Sequence, residues 1–447
     1  MSDIEMDDID EDVGEEGEET KEEKKPKVYV PGVSRELKEG EELEFDPDAY
    51  QAFHSFETTW PCMSFSILRD SLGDNRTDFP MQMYLVSGSH ADKPKNAEIS
   101  VIGLKNLTGT KQVSHFDEED EESDGNQPIL HSVTIPQNGN INRMKAERLG
   151  DANVVALWNA FGKVQLWNIT DAMKMIDGMT GKSANSTLSN QKPLFSYSGH
   201  NREGFALSWS RVKTGSLASG GEDRNIYNWH LQEGGSWVVD HRPYKGHKGS
   251  VEDIEWSPTE EGLLISCGSD KTIRLWDTRI SPTEACVCIV ENAHDDDVNV
   301  ISWNPSPTDP FILSGGDDSA LKIWSLQTIQ YGRHVANFKY HTRPITSVEW
   351  HPNDSTTFMA SAEDDQVSIW DVAMEADTTE DVVEGVPPQL LFLHCGQKEV
   401  KEVHWHQQCP GLALTTALSG FNTTYQMRLG CLRFIYGGNK SGPEYLR

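Results

Sequence analysis

The sequence lacks the marks of a membrane or secreted protein. Its 447 residues contain no apolar run of membrane-spanning length, and its N-terminus is acidic rather than a basic segment followed by an apolar one. Seven cysteines form an odd, scattered set that argues against a disulfide framework, and we expect Cys267 to be a small buried apolar side chain. These absences favour a soluble intracellular protein.

Motifs of the common enzyme classes are also missing. The chain has no Gly-x-Ser-x-Gly elbow, no Gly-x-x-x-x-Gly-Lys phosphate loop and no His-Glu-x-x-His zinc motif. The best metal-like group, His404, His406 and Cys409, has no further ligand pair nearby, so an exposed pair of histidines is the better interpretation. We therefore expect a non-enzymatic protein without cofactor or metal.

Positive charge is scarce, and the net charge of −32 is concentrated in three segments that we expect to be disordered. They are an acidic tail over 1–27, a loop over 117–124 (Asp117, Glu118, Glu119, Asp120, Glu121 and Glu122, then Asp124) and a loop over 375–384. Such segments serve either as solubilising spacers or as repellents of nucleic acid that attract a basic protein. A small basic island, Lys24, Lys25 and Lys27, is a candidate nuclear import signal.

What the chain does contain is a repeat of 47 residues. Four histidines mark it, each followed after 23 or 24 residues by an aspartate and six residues later by a tryptophan. The sets are His200, Asp223, Trp229; His247, Asp270, Trp276; His294, Asp318, Trp324; and His341, Asp364, Trp370. This period predicts an all-β, seven-bladed WD-repeat propeller, one repeat to a blade, over residues 60–421.

The last blade is one strand short in the sequence pattern, and Cys62–Leu68 is the strand that we expect to complete it. Before it, Asp46 and Pro47 predict the start of a short helix over 45–57, in which Tyr50 and Phe53 share a face. That helix packs on the propeller wall or forms one side of a partner groove. Residues 422–447 are an atypical basic tail.

A serine stands ten residues before the tryptophan in three repeats: Ser219, Ser266 and Ser314. We expect a hydrogen-bonded network from indole to serine, histidine and aspartate inside each blade. In the fourth repeat Ser361 is one residue out of register. A hydrolase triad is excluded because three or four equivalent copies suit a structural repeat, not one nucleophile in one pocket.

Acidic residues are doubled at the blade turns, as in Asp295, Asp296 and Asp297. One acid in each group can belong to the network, and the others should project from one rim of the ring. A rim of this kind would bind arginine and lysine side chains, and less well at high salt.

Several motifs resemble those of the glutamate-rich WD-repeat family of nucleolar ribosome-assembly factors, related to the retinoblastoma-binding histone-chaperone propellers. The motifs lie at 60–65, 72–76, 199–207, 250–253, 293–300, 347–352 and 416–420. The resemblance implies a chaperone for a newly made basic ribosomal protein, the third of the large subunit, delivered to early pre-ribosomal particles. It also implies histone binding and a chromatin role. The chain departs from the family after Phe421, and its N-terminal tail has shorter glutamate runs.

One alternative stays open. Trp276, Asp277 and Arg279 form the Trp-Asp-x-Arg box of substrate receptors that dock the adaptor of a cullin ubiquitin ligase. An enzyme built on a propeller has no supporting group of residues, and neither nucleic acid nor membrane is an expected partner.

Overall fold

The computed structural model describes residues 31, 35, 38, 49–110, 127–375 and 385–426. These residues form seven sheets of four or five strands, which confirms the predicted seven-bladed propeller. Neighbouring strands of a blade are antiparallel, apart from one strand added in parallel at the outside of blade 1. Within the described ranges, no helix is long and apolar enough to cross a membrane.

The first three blades, with strands in order from the centre of the ring outward, differ in size. Blade 1 contains β2 (Cys62–Leu68), β3 (Met81–Ser89), β4 (Glu98–Leu107), β5 (Ile129–Pro136) and β9 (Ser183–Thr187). Blade 2 contains β6 (Ile141–Leu149), β7 (Ala152–Asn159), β8 (Lys163–Asn168) and β10 (Phe195–Tyr197). Blade 3 contains β11 (Ala206–Trp209), β12 (Ser216–Gly220), β13 (Asn225–Leu231), β14 (Trp237–Val239) and β15 (Tyr244–Lys245).

The remaining blades have four strands each. Blade 4 contains β16 (Val251–Trp256), β17 (Leu263–Gly268), β18 (Ile273–Asp277) and β19 (Cys286–Val290). Blade 5 contains β20 (Val298–Trp303), β21 (Phe311–Gly316), β22 (Leu321–Ser325) and β23 (Ala336–Phe338). Blade 6 contains β24 (Ile345–Trp350), β25 (Thr357–Ala362), β26 (Val367–Asp371) and β27 (Leu390–His394). Blade 7 contains β28 (Val400–Trp405), β29 (Leu412–Ala417), β30 (Gly420–Gln426) and β1 (Tyr50–Phe56).

Helices occur in the connections. The α-helix α1 (Thr170–Gly178) follows β8 and packs on blades 1 and 2, where Ala172 and Ile176 are fully buried. Two 3₁₀ helices span Pro94–Asn96 and Ile329–Tyr331. Because α1 lies between β8 and β9, its connection carries the chain from blade 2 back to the outside of blade 1.

The ring has two faces, which the antiparallel pairing defines. The His–Asp face carries the start of each innermost strand and the turn between the second and third strands, as at His247 and Asp270. The far face carries the end of each innermost strand and the connection from third to fourth strand, as at Trp256 and Asp277. The described residues on either side of 111–126 and of 376–384 lie in third-to-fourth connections, and therefore on the far face.

Innermost strands have one edge toward the central channel, and side chains of the preceding blade cover it. A hydroxyl or carboxylate on one innermost strand accepts a hydrogen bond from a backbone N–H of the next, which satisfies donors that would otherwise lack protein partners. The pairs are Ser64–Met144, Ser66–Ala146, Ser208–Trp256, Asp253–Ile301, Glu255–Trp303, Ser302–Trp350, Ser347–Val403, Glu349–Trp405 and Glu402–Phe65.

The ring closes differently from the sequence prediction. The helix over 45–57 is wrong for its described part, because Tyr50–Phe56 is the strand β1, paired with β30 as the outermost strand of blade 7. Cys62–Leu68 does not complete the last blade; it is the innermost strand of blade 1. The propeller also extends beyond Phe421, because β30 continues to Gln426. A free strand edge on β30 gives the N-terminal segment backbone partners, which outweighs its helix-start signals.

Candidate partner-binding surfaces

Blades 3, 4 and 5 contain the predicted networks with short distances. In blade 4 the indole Nε1 of Trp276 donates to Ser266 Oγ at 2.8 Å, Ser266 Oγ lies 2.7 Å from His247 Nε2, and His247 Nδ1 lies 3.1 Å from the Asp270 carboxylate. Blade 3 (His200, Ser219, Asp223, Trp229) and blade 5 (His294, Ser314, Asp318, Trp324) repeat the arrangement within 2.7–3.0 Å.

Blade 6 builds the same network from a different serine. The hydroxyl of Ser368 lies 2.7 Å from His341 Nε2 and accepts the Trp370 indole N–H at 2.7 Å, while His341 Nδ1 lies 3.0 Å from Asp364. Ser361, the out-of-register candidate, instead pairs with Thr346 at 2.8 Å. Ser368 precedes Trp370 by two residues, on the same face of the same strand, so its hydroxyl reaches the same position.

These networks are buried and structural. Burial alone would raise the pKa of Asp270, but hydrogen bonds from His247, Lys248 N and Thr272 outweigh it and lower that pKa. The same balance lowers the pKa of Asp318 and of Asp223. The serines are completely buried, so their hydroxyls are not available to a substrate. The residues therefore hold the turns of the His–Asp face in place.

An acidic arc on the His–Asp face follows from those turns. Asp295, Asp296 and Asp317 are exposed, while Asp297 is half-buried. Lys271 contacts this group, with its Nζ 3.2 Å from Asp296 and 2.7 Å from the carbonyl of Asp295. Burial, together with Asp317 and Asp296, raises the pKa of Asp297. One lysine thus faces four carboxylates, and further cationic side chains would relieve their repulsion.

Tyr50 and Phe53 are placed differently from the expectation of a partner groove. Tyr50 is completely buried, and its hydroxyl lies 2.7 Å from His394 Nδ1. Phe53 is half-buried and packs against Tyr50 and His394 with ring centroids 5.4 and 6.1 Å apart. Tyr50 therefore fixes β1 to the ring and presents no surface to a partner.

The Trp-Asp-x-Arg box lies at the end of β18 on the far face. Trp276 is buried, whereas the side chain of Arg279 is 59% exposed. The Arg279 guanidinium donates two hydrogen bonds to Asp277, at 2.8 and 2.7 Å. This bidentate pair holds the arginine against the surface of the turn, where a partner can reach it.

The histidines of β28 are not an exposed pair, contrary to the sequence interpretation. His404 lies 2.8 Å from Glu349 and 3.2 Å from Glu402, and His406 is buried with its Nδ1 accepting backbone hydrogen bonds from Gln408 and Cys409. Among the described residues no three His, Cys, Asp or Glu side chains are arranged to hold a metal. Six of the cysteines lie in the described ranges, all as free thiols, and Cys267 is completely buried.

Sequence reasoning missed a buried charged cluster that joins blades 7, 1 and 2. Glu402, 1% exposed, lies 2.9 Å from Arg143, 3.0 Å from Lys145 and accepts the backbone N–H of Phe65 at 2.9 Å. Burial alone would raise the pKa of Glu402, but Lys145, His404 and Arg143 lower it well below its usual range. A lone acid and two bases at separate places in the chain carry no spacing signal, so only the ring reveals them.

Other predicted residues lie outside the described ranges. They are the acidic tail with Lys24, Lys25 and Lys27, the loop Asp117–Asp124, most of the acidic run 375–384, and the tail after Gln426. Their composition remains a prediction of disorder and of charge. Thr110 just before the first loop is placed, since its hydroxyl donates to the backbone carbonyl of Tyr50 at 2.6 Å.

Comparison with family models gives two matches. Residues 240–277, 285–325 and 332–371 match the WD domain, G-beta repeat. Residues 40–108 match the family of the histone-binding protein RBBP4 and its counterpart in the CAF1 complex. The second match covers β1 to β4, the part of the chain that closes the ring.

Curated relatives match along most of the chain. Glutamate-rich WD repeat-containing protein 1 of Dictyostelium discoideum is 39% identical, covering 89% of this chain and 84% of the relative. Protein HEAT STRESS TOLERANT DWD 1 of Arabidopsis thaliana is 37% identical over 89% of this chain and 90% of the relative. Ribosome assembly protein rrb1 of Schizosaccharomyces pombe is 35% identical, covering 88% and 83%. The chain therefore belongs to the glutamate-rich WD-repeat family of propeller proteins.

Proposed function

We propose that this protein acts in ribosome biogenesis as a non-enzymatic acidic chaperone that escorts a basic ribosomal protein of the large subunit. The observation that carries the proposal is the excess of 71 acidic over 39 basic residues, gathered in three segments and an exposed arc. Full-length similarity to a protein named for ribosome assembly supports the process. The propeller supplies a rigid scaffold, and the acidic regions supply attraction for lysine and arginine.

The acidic regions lie on both faces of the ring. The arc of Asp295, Asp296, Asp297 and Asp317 lies on the His–Asp face, while the ranges 111–126 and 376–384 connect strands at the far face. A basic client with an extended segment can contact both, since long-range attraction acts across about 8–10 Å at physiological salt. Binding of this kind depends on charge, so it should weaken as salt rises.

Binding of the third large-subunit ribosomal protein to the full chain tests the proposal. Affinity should fall steeply between about 0.1 M and about 1 M salt, over which the screening length falls from about 10 Å to about 3 Å. A chain lacking residues 1–25 and 117–124 should bind at least about tenfold more weakly at low salt, with a shallower salt dependence. Unchanged binding by that double deletion would contradict the electrostatic part of the proposal.

A matched pair of variants separates the arc from general charge. Asp296→Asn with Asp317→Asn removes two exposed carboxylates of the arc, whereas Glu260→Gln with Glu261→Gln removes two exposed carboxylates of the far face. If the arc takes part, the first pair weakens client binding more than the second. Equal effects would reduce the arc to a part of the net charge.

Histone binding is a second activity that we propose for the same surfaces. The match of residues 40–108 to a histone-binding family supports it, and histones share the high lysine and arginine content of the client. We also propose that the protein works in the nucleus and nucleolus, where ribosome assembly begins. Imaging of a Lys24→Ala, Lys25→Ala, Lys27→Ala variant tests whether the basic island directs nuclear import.

As an alternative function, we propose docking to a cullin-ligase adaptor through the box at Trp276, Asp277 and Arg279. The observation that favours it is the exposed Arg279 side chain, held by two hydrogen bonds to Asp277. A pull-down with Arg279→Ala should lose the adaptor while keeping the basic client. Recovery of the adaptor by this variant would remove the alternative.

A further inference from the structure

A cavity of about 180 Å³ occupies the central channel from its middle to the far face. Its walls come from the second half of the innermost strands, and exposed Arg211 and Gln407 stand at its mouth. The cavity differs from the surfaces above, since the acidic arc lies at the other end of the channel. Its lining contains five carboxylates, those of Glu147, Asp253, Glu255, Glu349 and Glu402.

The cations of the lining do not balance those carboxylates. Three arginine or lysine side chains line the cavity, which leaves a formal excess of two negative charges with His404 neutral. Arg143 and Lys145 both pair with Glu402. No arginine or lysine of the described chain lies within ion-pair distance of Glu255 or Glu349, so the blade 4 to blade 6 wall lacks a cation.

The hydrogen bonds of this wall leave specific atoms available. Glu255 uses Oε2 to accept the backbone N–H of Trp303, and Glu349 uses Oε2 for His404 and for the backbone N–H of Trp405. No hydrogen bond within the described residues reaches Oε1 of either carboxylate. Burial raises the pKa of Glu255 to about 7, and the positive charge of Arg211, beyond ion-pair distance, offsets only part of that effect.

A second and independent observation comes from Trp256, which lines the same cavity. Trp256 is 5% exposed, and its indole N–H has no partner among the described residues. The equivalent indoles of Trp209 and Trp405 donate to backbone carbonyls of the preceding blade, at 2.8 and 3.3 Å. Since buried donors are normally paired, this N–H calls for an acceptor that the described chain does not provide.

We infer that the cavity binds the cationic side chain of a lysine or arginine residue in a partner peptide, entering from the far face. The ammonium or guanidinium would donate to Oε1 of Glu255 and of Glu349, and a carbonyl of the same peptide would accept from Trp256. A single basic residue within a peptide meets both requirements. The inference deepens the proposed function, on which the identity of the basic partner rests.

Binding of three blocked tripeptides to the full chain tests the site: acetyl-Gly-Xaa-Gly-amide, with arginine, lysine or citrulline at Xaa. Citrulline has nearly the shape of arginine without its charge. The arginine or lysine peptide should bind with a dissociation constant of order 1 mM, a strength reasonable for one ion-paired side chain, and the citrulline peptide at least about tenfold more weakly. Whichever cation binds more tightly identifies the client residue.

Variants locate the binding. Glu255→Gln with Glu349→Gln keeps an oxygen for the Trp303 and Trp405 N–H groups and should weaken the cationic peptide about tenfold. Trp256→Phe removes only the indole N–H and should weaken all three peptides alike. Glu260→Gln, exposed on the same face outside the cavity, is the control and should change nothing.

The outcomes are separable. Equal binding of the citrulline and arginine peptides overturns the inference without involving any variant, so misfolding cannot obscure the result. Full binding by the Glu255→Gln, Glu349→Gln protein also overturns it. Loss of client binding on deleting the acidic segments concerns the proposed function alone, because the tripeptides carry too little charge to depend on those segments.

Discussion

Blades 3 to 6 are closed from within, whereas blade 7 is closed by a strand from the opposite end of the chain. In the former, a histidine joins serine, tryptophan and aspartate of the same repeat, as His247 does. In blade 7 the corresponding His394 instead contacts Tyr50 on β1 at 2.7 Å and Asn422 on β30 at 3.2 Å. One position in the repeat thus stabilises a turn in four blades and secures the ring closure in the last.

The difference shows where stability depends on contacts distant in sequence. A network inside one repeat forms when that blade folds, but β1 and the Glu402 cluster form only when the two ends of the propeller meet. Changes at the closure should therefore affect the whole ring, and changes in one network should affect one blade first.

Glu402→Ala should have the largest effect, because it leaves Arg143 and Lys145 buried without their carboxylate. Removing one partner of a buried ion cluster typically costs about 3–5 kcal/mol of unfolding free energy. Urea unfolding followed by tryptophan fluorescence measures it, with Glu399→Ala, an exposed carboxylate of the same blade, as control. A loss below about 1 kcal/mol, the range of surface pairs, would show that the cluster does not hold the closure.

The pH dependence of stability should separate His394 from the network histidines. Burial lowers the pKa of His394 to about 4, against about 6.5 in an unfolded chain. Below pH about 6.5 the unfolded state binds the proton and the folded state does not, so stability falls as the pH falls toward about 4. The loss should approach about 3 kcal/mol, and the difference between the parent and His394→Gln across this range measures it. An identical slope in both proteins would contradict the assignment.

Ser368→Ala should have a smaller effect than either. It leaves the Trp370 indole N–H and His341 Nε2 buried without their partner, at a cost of about 2 kcal/mol. Ser361→Ala, in the same blade and equally buried, is the matched control and should cost about half as much, since it removes one hydroxyl pair. The reverse order would restore the serine suggested by the repeat spacing.

Tyr50→Phe should have the smallest effect, about 1 kcal/mol, because the ring keeps its packing and only the hydrogen bond to His394 is lost. Thermal unfolding measures it, with Tyr331→Phe, whose ring is 70% exposed, as the control. A cost near that of Glu402→Ala would show that this one hydrogen bond, rather than the cluster, dominates closure.

Much of the architecture could be predicted from the repeat. The spacing of His200, His247, His294 and His341 fixed the blade count and three of the four networks, because each network lies within one repeat. The strand β1 could not be predicted, since Asp46 and Pro47 are helix-start signals and the competing partner, β30, lies at the other end of the chain. Ser368 was missed because two positions on one blade bring a hydroxyl to the same indole.

The acids illustrate the same division. Composition alone determined that the chain is strongly acidic, and turn positions placed Asp295 and Asp296 on one rim. Which acids face a cation is decided by the ring: Glu402 meets Arg143 and Lys145, while Glu255 and Glu349 form no ion pair with a described arginine or lysine. Sequence by itself determined the repeat and the sign of the charge, because both are local or additive. Tertiary structure decided the closure and the channel, because these require residues from different blades to converge.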